Sequence, residues 1–181
     1  MSKILYSVTM SLDGFIAGPG GDMSWLTEHL GQPNAAVKQL IGEIGSLLVG
    51  NRTFRGDDPH KGTTQEGKPF GGGWSGTQVV LTHHVPDTTI PGVTFAGDLD
   101  SGVKAAKDAA GGKYVNILGA NVARQCLEAG VLDEIFVFVA PVLLGDGVRL
   151  FDHPGGTNVK LERLGVSHAP NATNLRFRVV R

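Results

Sequence analysis

The chain has 181 residues, 41% of them hydrophobic, and a formal net charge of −1. That balance describes an ordinary globular chain, read as one domain over 1–181 with enough length to bury a core. It excludes a disordered chain and the basic stripe that a nucleic-acid partner would call for, and no apolar run reaches membrane-spanning length.

Lys3–Thr9 reads as a short apolar strand, entered directly from Met1-Ser2 without the apolar region of a secretory signal. Phe15-Ile16-Ala17 follows a turn at Asp13-Gly14, and Gly18–Asp22 is a loop by composition. Pro33 suits a first helical position, with Val37, Leu40, Ile41 and Ile44 spaced as one buried helix face. A strand is predicted at Ser46–Val49. Arg55–Gly76 is polar and glycine-rich, long enough to form a functional lid. Gln78–Thr82 and Val93–Ala96 read as strands. Asp98 is a candidate N-cap for a helix carrying Leu99, Val103, Ala106 and Ala110. Strand 114–118 opens into a helix that ends near Gly130. The only cysteine, Cys126, lies on its apolar face; a lone thiol precludes an intrachain disulfide and suits a reducing, cytoplasmic setting. Glu134–Ala140 is a continuous apolar run, as expected of a central strand covered on both faces. Val159 and Leu161, then Leu175, Phe177 and Val179 alternating with Arg176 and Arg178, form an antiparallel pair about a Pro170-Asn171 turn. Strands alternating with helices predict a doubly wound α/β domain, its mixed and mostly parallel sheet ending in a C-terminal antiparallel hairpin.

Two strand ends carry the chemistry of an anion site. One is Gly119-Ala120-Asn121-Val122, where a glycine precedes a helix start with its unpaired amides and positive dipole. The other is Gly50-Asn51-Arg52-Thr53, which adds a guanidinium fork and a hydroxyl. Each reads equally as a plain tight turn or a surface helix start; as a pair they suggest a cradle for a dinucleotide diphosphate. Thr82-His83-His84 follows a strand with a neutral-to-basic character that suits a ribose 2′-phosphate, or simply an exposed loop. Asp13, Asp22 and Ser24 are candidate groups near a substrate, with Trp25 beside them; as turn and core residues they would do no chemistry. The histidines have no metal-ligand spacing, and no metal is expected. The G-x-G-x-x-G fingerprint, the Walker pattern and the G-x-S-x-G elbow are all absent.

Taken together, Ser7–Ala17, Gly50–Thr53, Val80–His84, Leu118–Asn121, Leu132–Glu134 and Ala140–Gly147 resemble, in that order, the dihydrofolate-reductase-like superfamily. The chain is most similar to stand-alone relatives of the C-terminal reductase domain of the riboflavin-biosynthesis deaminase-reductase. The resemblance implies a three-layer α/β/α dihydrofolate-reductase-like fold, NADPH as hydride donor and a homodimer. It places Trp25, Thr53, Asp57 and the Gly119 turn against the cofactor and Ser24 against the substrate. Three positions depart from it, one of them Lys61, which stands where the riboflavin reductase has a leucine. Ile117 stands where the riboflavin reductase has a substrate-binding glutamate, and Thr64 where it has an arginine. In dihydrofolate reductase the pterin-binding acid falls where this chain has Leu30.

The expected function is NADPH-dependent reduction of a small nitrogen heterocycle, of the type of 5-amino-6-(5-phosphoribosylamino)uracil reduction in riboflavin biosynthesis. Dihydrofolate-reductase-type activity, a non-catalytic nucleotide-binding protein of the same fold, and a dimeric structural subunit joined by the terminal strands are the alternatives.

Overall fold

Apolar, β-branched runs supply the strands, and helices cover both of their faces. The computed structural model describes residues 1–181. Its elements are β1 (Ile4–Ser11), β2 (Phe15–Ala17), α1 (Ala35–Glu43), β3 (Ile44–Gly50), α2 (Asn51–Phe54), β4 (Thr77–Leu81), β5 (Val93–Ala96), α3 (Leu99–Ala110), β6 (Tyr114–Leu118), α4 (Ala120–Glu128), β7 (Glu134–Ala140), β8 (Val148–Arg149), β9 (Leu161–Ala169) and β10 (Ala172–Val179). Eight strands form one sheet in the order β5-β4-β3-β6-β1-β7-β10-β9. The strands from β5 to β7 run parallel, and β10 is antiparallel to both β7 and β9. β2 and β8 pair separately as a small antiparallel flap.

Central parallel strands must be apolar on both sides, because each side meets a helix layer. Ile4, Tyr6, Leu48, Val115 and Ile117 pack against Ala106, Ala110, Val122, Ala123 and Cys126 of α3 and α4. Leu5, Leu47, Val49, Phe136 and Phe138 pack on the opposite face, where α1 inserts Leu40. Leu40 is 1% exposed, a burial that contributes about 2 kcal/mol. Burial pushes the Cys126 thiol up to about 12, so it is an inert core group.

Three local details differ from the sequence reading. The α1 helix starts at Ala35, not Pro33, because the Asn34 side chain accepts the Ala36 amide at 3.1 Å and caps it. Ile44 is not on the helix face but opens β3. There the chain must pass Gly45 against the α3 end, where a Cβ would lie 2.1 Å from the Ala110 carbonyl oxygen. The terminal hairpin exists, but β9 is the sheet edge and is exposed along most of its length, so only β10 shows the expected half-burial. Asp98 does cap α3, accepting the Ser101 amide at 2.8 Å.

The strand order positions the site. From β3 the chain moves outward through β4 and β5, then returns to lay β6 on the other side of β3. The carboxyl ends of β3 and β6 therefore flank the point where the winding reverses, the place where open α/β sheets leave a crevice.

Candidate active site

At that point the two glycine turns meet. Gly119 has φ 111°, a conformation open to glycine, and a Cβ there would lie 2.5 Å from the Thr53 hydroxyl oxygen and 3.9 Å from the Gly50 nitrogen. A Cβ on Gly50 would in turn lie 3.2 Å from Val122 Cγ2. Each glycine is thus pressed against a side chain of the other turn, Gly119 against Thr53 and Gly50 against Val122, and neither has room for a Cβ. The first-turn amides of α4, Ala120, Asn121 and Val122, have no intrahelical acceptors, and Gly119 at the N-cap offers no side-chain acceptor in their place. Val122 itself is buried in the core and offers only its amide; the Asn121 side chain is occupied by Gln125 at 2.8 Å. The β3 side differs from the sequence reading: α2 is a single turn of four residues, too short for a substantial dipole. What it contributes is Arg52, exposed and in no ion pair, and the Thr53 hydroxyl.

From this turn pair a cleft of about 2110 Å³ runs along the carboxyl edge of the sheet. One end passes Thr82, His83 and Asp98 beyond β4 and β5; the other passes Ser7, Val8 and Thr9 on β1. The volume exceeds the 300–1,000 Å³ usual for one small ligand and suits two placed end to end. Segments 57–70 and 18–31 form its outer wall and touch each other: Asp57 accepts the Met23 amide at 3.1 Å, and the Thr27 hydroxyl donates to the Pro59 carbonyl at 3.3 Å. The polar 55–76 stretch is therefore a folded cover. Its turns are closed by Asp58, which accepts the His60 amide, and by Glu66, which accepts that of Gly62.

The structure brings Gly50, Arg52, Thr53, Asp57, Thr82, His83, Gly119, Ala120, Asn121 and Val122 onto one cleft. Within that set two side chains are committed elsewhere: Asp57 to Met23, and Thr82 Oγ1 to the amide and carbonyl of His84. Trp25 does not line the cleft; its ring lies 5.9 Å from that of His29, and its Nε1 is buried without an acceptor. Asp22 and Ser24, expected near the substrate, do not line the cleft; they bond to each other at 2.9 Å on either side of Met23, which does. The Ser24 amide and hydroxyl hold the Asp22 carboxyl below its ordinary range. Asp13 is a clamp. It accepts the Ser11 hydroxyl at 2.6 Å and the amides of Leu144 and Gly145 at 3.1 and 2.8 Å, which binds the β1–β2 turn to the 141–147 loop.

Those donors, the Ser11 hydroxyl first, draw the Asp13 carboxyl down to about 2 from an ordinary 3.8. A carboxylate favoured by the fold stabilises it above the free-chain value, and that contribution is lost as pH falls through the folded value. Between pH ~4 and ~2, Asp13→Asn is therefore expected to show a flatter loss of stability than the wild type. Acid titration followed by circular dichroism checks it; parallel curves for the two proteins would refute the clamp.

One further lining residue, Ser7, and Asn116 buried behind it are not evident from motif spacing. Asn116, a fully buried amide in the apolar run of β6, accepts the Ser7 amide at 3.2 Å. The only signal in the sequence is a single Asn between Val115 and Ile117.

Residues 2–175 match the RibD C-terminal domain family. The chain belongs to that family. This RibD C-terminal domain is 25% identical over 176 residues to YwjB of Bacillus subtilis (strain 168), covering 97% of each chain. Among solved structures it is similar to a riboflavin biosynthesis protein of Shewanella sp. PV-4, with a TM-score of 0.72 at 23% identity over 100% of both chains. It also matches Enterococcus faecalis dihydrofolate reductase, solved with NADP(H), with a TM-score of 0.64 at 16% identity over 99% of this chain and 97% of that one. The fold is thus dihydrofolate-reductase-like, as the resemblance implied. No helix of this RibD C-terminal domain is long and apolar enough to cross a membrane.

Proposed function

We propose that the protein is an NADPH-dependent reductase of a small nitrogen heterocycle, working as RibD-type reductases do. The observation that carries this reading is the contact of the Gly119 turn with Thr53 beside the uncapped α4 start, at the reversal of the sheet. The residues there fit a diphosphate: free amides, a missing Cβ, a hydroxyl and an unpaired guanidinium. Ala120, Asn121 and Val122 would hold it through their amides, with Arg52 and Thr53 from the other side. His83, exposed beyond β4, would meet the ribose 2′-phosphate; Thr82 shapes that turn.

When bound, the reduced nicotinamide supplies a hydride. The chain's own role is to place and to shield. The β1 edge at Ser7–Thr9 and the apolar floor of Val49 and Phe138 orient a flat ring, and the 57–70 cover limits water. Asp13 and Asp22 are held in their ionised forms at neutral pH, so neither stores a proton for the acceptor. Solvent at the cleft rim delivers it, and the Asp22–Ser24 pair braces the rim beside Met23. Ile117 is buried in the core and Thr64 carries no charge, so the acceptor is recognised without the glutamate and arginine of the riboflavin enzyme. The exposed edge strand β9, with Leu161 46% and Val166 58% exposed, supports a homodimer. The lone buried thiol supports a cytoplasmic setting, and the net charge of −1 supports a small-molecule partner rather than nucleic acid.

Isothermal titration is expected to give micromolar binding of NADPH and binding of NADH weaker by about tenfold, the difference that one charged contact supplies. Absence of binding of either overturns the proposal. A non-catalytic nucleotide-binding role shares the cradle; oxidation of NADPH with any pyrimidine or dihydrofolate acceptor eliminates it.

A further inference from the structure

We infer that Asn116 is a positioning residue that holds open the nicotinamide end of the cleft; this rests on the reductase reading above. β1 pairs with β7 over its whole length, from Leu5↔Glu134 to Ser11↔Ala140, but with β6 only from Ile4↔Val115 to Tyr6↔Ile117. β6 meanwhile stays paired to β3 as far as Leu118. The two strands therefore separate just after Tyr6, and Ser7, Val8 and Thr9 become cleft wall. At that point the Ser7 amide donates to Asn116 Oδ1 instead of to a β6 carbonyl. A side-chain acceptor has replaced a ladder bond, which lets β1 diverge without a buried orphan donor.

The amide orientation follows from this bond. Ser7 is the donor, so Oδ1 faces it and Nδ2 points away, and Nδ2 is buried without a partner. A half-satisfied amide at 0% exposure is a poor choice for stability, since its unmet donor costs more than an apolar side chain of the same size. Its consequence is the divergence of the strands. The diphosphate cradle lies between β3 and β6, and the His83 turn lies beyond β4. The end of the ligand that bears the nicotinamide then points the other way along the sheet order, toward β1. Asn116 acts on that end through Ser7 and leaves the cradle untouched.

The test compares NADPH with 2′-phospho-ADP-ribose, which has the same phosphates and no nicotinamide. Asn116→Leu keeps the branching and the number of side-chain heavy atoms and removes the acceptor. It is expected to weaken NADPH by about tenfold, the worth of one lost hydrogen bond, and to leave the nicotinamide-free ligand within about twofold. A merely structural role would weaken both together. In the wild type, the Ser7 amide and Asn116 side-chain NH₂ resonances are expected to move on addition of NADPH and to stay in place with 2′-phospho-ADP-ribose, a reading that does not depend on the variant folding. Equal losses for both ligands, no loss for either, or resonances that respond alike to both overturn the inference alone. A wild type that binds neither ligand overturns the reductase reading and this inference with it.

Discussion

Gly119→Ala is expected to abolish measurable NADPH binding and to lower stability by about 2 kcal/mol. Two independent effects combine at this residue. With φ 111° and ψ 131°, the backbone is outside the regions open to an L-residue, which costs about 1–3 kcal/mol if the conformation is kept. The new Cβ would also sit 2.5 Å from Thr53 Oγ1, far inside contact distance. Relief requires either rotation of Thr53 out of the cradle or a shift of the whole turn away from α2. Both move donors relative to the diphosphate, and a misplacement of about 1 Å costs on the order of a hundredfold. For a chain of this size about 2 kcal/mol corresponds to a fall of roughly 4–8 °C in Tm. Thr53→Ala in the Gly119→Ala background removes the clash and leaves the strain, so it should recover some of the stability and none of the affinity. Calorimetric titration and thermal unfolding of the three proteins read both effects. NADPH affinity within about threefold of the wild type in Gly119→Ala would contradict the cradle.

Glu134→Ala is expected to be the most destabilising single change away from the cleft, at about 3 kcal/mol, with NADPH binding preserved. The Glu134 side chain is 3% exposed. It meets Lys3 Nζ at 3.0 Å, Arg176 Nε at 3.0 Å and the Tyr114 hydroxyl at 3.2 Å. Burial opposes its charge, but the Lys3 and Arg176 hydrogen bonds and charges outweigh that and hold its carboxyl below the ordinary range. Removing the carboxylate strands Arg176, which is 22% exposed and lies 5.2 and 5.3 Å from the Tyr114 and Phe136 rings. Glu43 at 3.7 Å gives Arg176 a second, weaker partner, and Lys3 is half exposed. These two relieve some of the 3–5 kcal/mol usual for a broken buried pair and leave the lower end of that range. A Tm lower by roughly 6–12 °C follows. Glu134 opens β7 opposite Leu5, at the far end of the strands from the glycine turns, so calorimetric NADPH affinity should match the wild type. A Tm unchanged within about 2 °C would mean that the four-residue cluster contributes nothing net.

Much of the site could be read from residue order because its chemistry is backbone chemistry. Gly50 and Gly119 mark themselves by ending apolar runs and preceding helix starts, and the structure puts both at the cleft. Side chains were harder. Asp13 next to Gly14 has the look of a reactive carboxylate, but its partners Leu144 and Gly145 are 131 and 132 residues away, and no local window reveals them. Asp22 and Thr82 are satisfied by neighbours two residues on, Ser24 and His84, a pairing that motif reading overlooks in favour of a ligand. Asn116 was invisible for the opposite reason: one amide in an apolar strand has no pattern, and its meaning depends on where β1 and β6 separate.

By itself the sequence determined the layers. Periods of two and of 3.6 residues are local properties, and they decide which faces are apolar and hence that helices must cover both sides of a sheet. Only the tertiary structure decided that residues 50–53 and 119–122 are neighbours. That follows from β6 returning to the inner side of β3, and the choice is made by the packing of α1 on one face and α3 and α4 on the other. Strand order is a competition among long-range contacts, and a stretch of chain too short to span a crossover carries no record of its outcome.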